Sequence, residues 1–376
     1  MVKSTSGSGA QLIRQLPRTF DALNNGVELG WHTGALVSVR RANGATENLA
    51  VGRTLDGLPM NNRQLPPWFC TAKPLLVLML AKLISTGELH WDDSVARHVP
   101  RFARAGKEHV TIQHVLTHSI GFRADPVELL GLDWEIAIRT IARTSLEPGW
   151  IPGREHSYLP FTSWYLMGEV LMRSTGQPLS PLLREHVLDP LGLTETYVGM
   201  RPDEYERNRP HLTGVGTHQV RGSADRHQFR LPVEGPDTCC GIGPTSVRGT
   251  IADLARLYAL IGLSTKPPIG ISGSVWQEVV RRPDTPVYDH RHRVPAVFGM
   301  GLVFEGRQYG EGARVFGPDC SSDTLGHRGL GSLVAYADRS AGLAVAAFFD
   351  VTNQALLNRS RIDLVSSCAY EDLGLL

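Results

Sequence analysis

The sequence predicts an α/β fold of the α+β type: an antiparallel sheet flanked by helices, with a mostly helical lobe beside it. Three observations lead there. Strand-like runs broken by turn residues lie near the start of the chain, at 35–51, and again near its end, at 297–349. Apolar residues at helical spacing, closed by glycines, fill the stretch from about 70 to 190. No internal repeat interrupts this order. With the two sets of strands in one sheet, the chain is a single domain, 1–376. Its α/β lobe then takes about 1–66 and 290–376, and its helical lobe about 67–289. A cleft between the lobes is the natural place for a site.

Leu16, Phe20 and Leu23 recur at helical spacing and predict a first helix. Ala35 to Arg40 and Thr46 to Val51 read as strands. Asn43-Gly44 between them is a hairpin signal, because both residues tolerate the left-handed backbone of a tight turn. Helices are predicted over Leu75–Ser85 before Gly87, Thr111–His118 before Gly121, and Ser163–Thr175 before Gly176. Residues 200–245 are polar, rich in Arg, His, Gly and Pro without a period, and read as long loops or an irregular insertion. Thr250-x-x-Asp253 marks another helix start, ahead of Leu254, Leu257 and Leu260. Val297–Phe304, Ser332–Asp338 and Leu343–Phe349 read as strands, and a helix over about Gln354–Leu364 follows them.

Composition narrows the function. Of 376 residues, 42% are apolar and 20% charged, ordinary for a globule that buries its own core. The 38 Lys and Arg balance 37 Asp and Glu to a net charge of +1, which gives no support to a nucleic-acid or polybasic membrane partner. The strongest apolar run, Leu75–Ala81, ends at Lys82 and is too short to span a bilayer. Met1–Ala10 is polar and Gly/Ser-rich, without the apolar core of a secretion signal. Five cysteines with no Cys-x-x-Cys pair argue against a disulfide framework or a four-thiolate zinc site. The expected setting is reducing and cytoplasmic.

The residues that carry chemistry begin at Cys70-Thr71-Ala72-Lys73. Pro74 follows, then an apolar helical run, so Cys70 sits in or just before a first helical turn. The positive end of a helix dipole favours a thiolate there, and Lys73 three residues on can share its face. Taken alone, a cysteine beside an apolar run reads as an inert buried residue. Further segments change that. They are Gly87-Glu88-Leu89 with Asp92-Asp93-Ser94-Val95; Thr111 through Gly121; Pro152-Gly153 through Ser157-Tyr158; and Gly168, Thr175-Gly176 and Pro190-Leu191-Gly192. Gly326-His327-Arg328-Gly329 then precedes strand-like residues. In order and spacing these resemble the serine β-lactamases, penicillin-binding proteins and related esterases and acyltransferases, which carry Ser-x-x-Lys where Cys70–Lys73 stands. The likeness covers about residues 30–350 and is nearest to the class C β-lactamase, esterase and transesterase branch. It implies a β-lactamase/transpeptidase-like fold and one catalytic domain.

The resemblance implies roles. Cys70 is the nucleophile. Lys73 and Tyr158 handle protons as one coupled set. Backbone N–H groups of Cys70 and Leu330 form an oxyanion hole, and Gly329 permits close approach of the substrate. His327 lines the site as a polar contact or a modulator of Tyr158. Three departures accompany the match: Cys70 replaces serine, Pro160 stands where lactamases of this branch have the Asn of Tyr-x-Asn, and His327-Arg328-Gly329 replaces Lys-Thr-Gly. Loss of the amide at Pro160 removes a group that holds an acylamido substrate, which counts against a generic β-lactamase. His-x-Gly is common among the esterase-like members. Trp68, two residues before Cys70, lines the cleft or packs.

Other patterns are weaker. His114 and His118 lie at i and i+4 like a metal pair, without the carboxylate of a His-Glu-x-x-His motif. His290-Arg291-His292 reads as a solvated loop, and Cys239-Cys240 as packing or site-wall residues. Neither a metal nor a cofactor is expected.

Sulfur in place of oxygen changes the expected reaction. Amines attack thioesters well relative to water, so a Cys acyl-enzyme suits transfer to an amine. Forming a thioester from an ordinary amide is uphill, so the donor must be an ester, a thioester or a strained lactam. No P-loop signature is present. The leading expectation is an ATP-independent transacylase that joins a small-molecule acyl donor to an amine acceptor, in small-molecule biosynthesis. The alternatives are an esterase or lactamase-like hydrolase, a catalytically inactive binding relative, or an engineered Cys in place of a native Ser.

Overall fold

Both ends of the chain meet in one eight-stranded antiparallel sheet. The computed structural model describes residues 15–127, 133–217, 234–352 and 355–376. The polar arm Met1–Ala10, the part of the 200–245 stretch from 218 to 233, and Gln354 at the start of the expected last helix lie outside the described residues. The strands are β1 (Gly34–Arg41), β2 (Thr46–Gly52), β3 (Val287–Asp289), β4 (Val294–Phe298), β5 (Val303–Phe304), β6 (Thr324–Gly329), β7 (Leu333–Asp338) and β8 (Leu343–Phe349). Their order across the sheet is β2-β1-β8-β7-β6-β5-β4-β3. The hairpin turns at Asn43-Gly44, where Arg40 pairs with Thr46. The N-terminal strand lies against the C-terminal one, Ala35 opposite Phe349.

Strand alternation assigns each side chain to a face. Val37, Val39, Val334, Tyr336 and Val345 face α1 (Pro17–Glu28) and α7 (Ala355–Asp372), meeting Leu23, Ile362 and Val365. The other face carries Ala335, Ala337, Ala344 and Ala346. These small residues let helix α6 (Ile251–Gly262) lie close. A Cβ on Gly262 would stand 2.4 Å from the Ala337 Cβ, so a hydrogen is all that fits. Thr250 Oγ1 caps this helix by accepting from Asp253 N at 3.2 Å. Although α6 falls within the stretch read as helical lobe, it packs on the sheet.

Four further helices lead to the site: α2 (Lys73–Ser85), α3 (Ile112–Leu116), α4 (Trp134–Arg143) and α5 (Thr162–Thr175). Leu75 through Ala81 are all buried, so α2 is apolar on every side, as a central core helix is. Two expectations change. Val297–Phe304 is not one strand. Gly299 N bonds Leu302 O at 2.8 Å, Gly301 takes φ +67°, and the run folds into the β4–β5 hairpin. The last helix runs past Leu364 to Asp372, because Ile362, Val365, Ala369 and Tyr370 continue one buried face. Among the described residues, no helix is long and apolar enough to cross a membrane.

Candidate active site

The site forms where the head of α2 meets the edge of β6. Cys70 lies in a tight helical turn, Phe69–Ala72, that runs straight into α2. The turn is anchored from below. Trp68 donates its backbone N–H to Val247 O at 2.9 Å and its indole Nε1 to Gly249 O at 3.0 Å. Trp68 is fully buried by these contacts, so it packs beneath the nucleophile position and does not line the cleft. Phe69 takes φ +46° and Leu330 takes the same value. Bulky residues rarely adopt that conformation, and such strain persists only where the surroundings enforce it. The two strained residues face one cavity together with the Cys70 side chain.

Lys73 is buried at the first position of α2, and its Nζ donates to Pro160 O at 2.8 Å. The departure at Pro160 therefore removes a side-chain amide yet leaves a carbonyl that orients the ammonium. The same Nζ stands 5.6 Å from the centre of the Tyr158 ring. Burial first, and the adjacent Cys70 second, hold the Tyr158 phenol well above its usual range, so it rests protonated.

Tyr158 is fixed from several directions. Its backbone N–H donates to Asp289 Oδ1 at 2.9 Å. His118 meets its ring edge-on at 4.6 Å, Phe298 stacks at 6.1 Å, and His327 stands at 6.2 Å. His327 reaches this place through the sheet register: it pairs with Ala335 and shares the face that carries α6. Its Nε2 is buried with no hydrogen-bond partner among the described residues. Burial and then Lys73 push the His327 imidazole down to about 3, so it is neutral. Gly329, two residues on, lies so close to the Cys70 turn that a Cβ would meet Phe69 Cβ and Trp68 O at 3.2 Å.

Thus Cys70, Lys73, Tyr158 and His327 come together, with Pro160, Gly329 and Leu330 around them. Cys70, Tyr158, Pro160, His327 and Leu330 open on a cavity of about 620 Å³. Phe161, Pro244, Val294, Phe298 and Val303 supply apolar wall, and Arg314, Arg328 and Arg359 line it further out. Arg314 is held by Asp363 through two bonds of 2.6 and 2.7 Å.

Four residues, His118, Asp289, Arg291 and His292, have roles here that the sequence reading missed. His118 does not pair with His114. Its backbone turns left-handed at φ +57°, and its Nδ1 accepts from Leu159 N at 3.3 Å. His114 instead closes the cap of α3, its Nδ1 accepting from Thr111 N at 3.2 Å. The 290–292 stretch is an exposed turn, as its sequence suggests, and Arg291 and His292 within it also stand on the cavity wall. Asp289 pins them there, accepting from Arg291 N at 3.0 Å and bonding His292 Nδ1 at 2.6 Å. Their partner Tyr158 is 131 residues away in sequence, so only an ordered Asp-x-x-His beside a hairpin signalled them.

Residues 18–365 match the family described as Beta-lactamase, and the chain belongs to it. Over 199 residues it is 37% identical to an Escherichia coli (strain K12) protein named "Putative D-alanyl-D-alanine carboxypeptidase". That match takes in 49% of this chain and 42% of the relative's length. Two solved structures share the fold across nearly the whole chain. A penicillin-binding protein homologue from Caulobacter crescentus superposes with a TM-score of 0.75 at 22% identity, covering 95% of this chain and 97% of that one. EstCE1, titled a hydrolase with promiscuous acyltransferase activity, gives 0.75 at 18% identity, covering 96% and 100%. The chain is thus a member of the β-lactamase family and carries the fold that these two structures share.

Proposed function

We propose that this enzyme transfers an acyl group from an activated ester or thioester to an amine, through a thioester on Cys70. The observation that carries this reading is the Cys70 side chain on a cavity wall, beside a phenol held protonated and an oriented ammonium. In the first step the Cys70 sulfur bonds the acyl carbon as its S–H proton passes to the Lys73–Tyr158 pair, and the acyl bond to the donor's alcohol or thiol breaks as the pair hands that leaving group a proton. Backbone N–H groups of Cys70 and Leu330 stabilise the oxyanion, and His327 borders the phenol. In the second step an amine takes the acyl group and the thiol is restored. No step needs ATP. The apolar wall suits an acyl chain, and a small-molecule biosynthetic reaction is the natural setting.

Hydrolysis is the second reading, favoured by the esterase and carboxypeptidase names of the relatives. Intact-protein mass after incubation with activated esters separates the two. Acyl transfer predicts an adduct absent from Cys70→Ala and discharged faster by a primary amine than by water. Loss at the same rate without amine favours the hydrolase. No Cys70-dependent adduct with any donor overturns both and leaves an inactive binding relative.

A further inference from the structure

We propose that Asp289 and His292 form a second base in this site, which takes the proton of the amine as the acyl group leaves Cys70. The role presupposes the Cys70 acyl-enzyme proposed above. Three histidines surround the Tyr158 ring, at 4.6 Å (His118), 5.6 Å (His292) and 6.2 Å (His327). Two of them are almost wholly buried, although His327 still borders the cavity. His118 and His327 are 3% and 2% exposed, and burial holds both imidazoles neutral. The His292 side chain is 54% exposed and stands on the cavity wall that carries Cys70. It is by far the most open of the three to an incoming amine.

Its geometry is that of an oriented base. His292 Nδ1 lies 2.6 Å from Asp289 Oδ2, a short charge-assisted distance. The other oxygen of Asp289 accepts from Tyr158 N and Arg291 N at 2.9 and 3.0 Å, so the carboxylate cannot turn away. Burial alone would raise the Asp289 carboxyl; the bonds from His292 and Tyr158 N outweigh it and hold the group below its usual range. A carboxylate at this distance assigns the N–H to Nδ1, which leaves Nε2 as the nitrogen that can accept a proton. Arg291, beside it on this loop, also bonds the carboxylate through its backbone N–H.

The step balances. The amine nitrogen bonds the acyl carbon, the C–S bond breaks, and one N–H proton passes to His292 Nε2. The departing thiolate takes a proton from Tyr158, and solvent in the cavity returns the His292 proton to the Lys73–Tyr158 pair. Lys73 and Tyr158 thus serve the sulfur, while Asp289 and His292 serve the acceptor.

The test measures the two steps separately in the 376-residue chain. p-Nitrophenyl butyrate loads Cys70, and n-propylamine or hydroxylamine discharges the adduct, both followed by intact-protein mass. His292→Asn is expected to slow discharge by propylamine about 100-fold or more, a typical loss for a missing general base, with a far smaller effect on loading. Hydroxylamine is uncharged at neutral pH and needs less help, so its discharge should fall less than about tenfold in the same variant. Asp289→Asn should shift both amines in the same direction. Propylamine discharge of His292→Asn at the wild-type rate overturns the proposal. So does an equal loss in loading and in discharge by both nucleophiles, which marks a merely structural role. If wild-type protein forms no Cys70-dependent adduct, the acyl-enzyme reading itself fails, and that outcome is read before any His292 variant is made.

Discussion

Tyr158 and Lys73 stand together, with Nζ 5.6 Å from the ring centre, yet removing each should give a different pattern. Tyr158→Phe keeps the ring that His118 and Phe298 grip and deletes only the hydroxyl. It should slow Cys70 loading about 10²–10⁴-fold with little change in unfolding midpoint. Lys73→Met removes the ammonium from a buried carbonyl, Pro160 O. It should lose loading and also about 1–3 kcal/mol of stability, because a buried carbonyl loses its charged donor. Urea unfolding of the two variants, set beside burst rates with an activated ester, checks both halves. The Ser-x-x-Lys-like spacing made Cys70 and Lys73 legible in the sequence, because one helical turn sets their separation. Asp289 and His292 were not legible, since their function comes from a tyrosine on a distant segment.

At the scale of elements, the contact of α6 with the sheet is set by a single missing side chain. Alanine in place of a helical glycine gains about 1 kcal/mol of intrinsic helix stability. At Gly262 the new Cβ would stand 2.4 Å from Ala337 Cβ, and overpacking costs about 1–3 kcal/mol. The clash should win, so Gly262→Ala should lower the unfolding midpoint. Adding Ala337→Gly should recover much of that loss, and a double-mutant cycle by thermal or urea unfolding measures the coupling. The helix itself was readable from Thr250-x-x-Asp253 and its leucine spacing. Its place on the sheet was not, because helical periodicity shows that a face is buried and not what buries it. The β4–β5 hairpin escaped for a similar reason: Val297–Phe304 has strand composition on both sides of a two-glycine turn.

For the molecule as a whole, three buried histidines couple the fold to pH. His32 is pushed down to about 4 by burial and then by Arg361, His327 to about 3, and His118 well below its usual range. Each is neutral when folded and titrates near 6.5 when unfolded. Below pH 6.5 the unfolded chain therefore binds protons that the native chain refuses. The stability these groups contribute is complete above about 6.5 and is lost as pH falls toward 4. Each costs about 1.4 kcal/mol per pH unit within that window. Urea midpoints at pH 7, 6 and 5 should decline accordingly. His32→Gln, whose amide can still donate to Leu23 O as the ring does at 3.0 Å, should flatten the decline by about that amount per unit. An unchanged slope would mean that His32 titrates normally in the folded state.

By itself the sequence determined the order of strands, helices and strands, the Cys70–Lys73 pair at a helix head, and the family. These are local or follow from spacing: alternation, helical period, capping residues and ordered motifs all act over a few residues. Only the tertiary structure decided that His327 faces the phenol, that Trp68 lies beneath the site, and that Asp289 and His292 stand at its wall. Those placements come from sheet register and from hydrogen bonds between segments more than a hundred residues apart. A register shift of one residue would turn His327 to the other face of the sheet, and no pattern within its own strand prevents that.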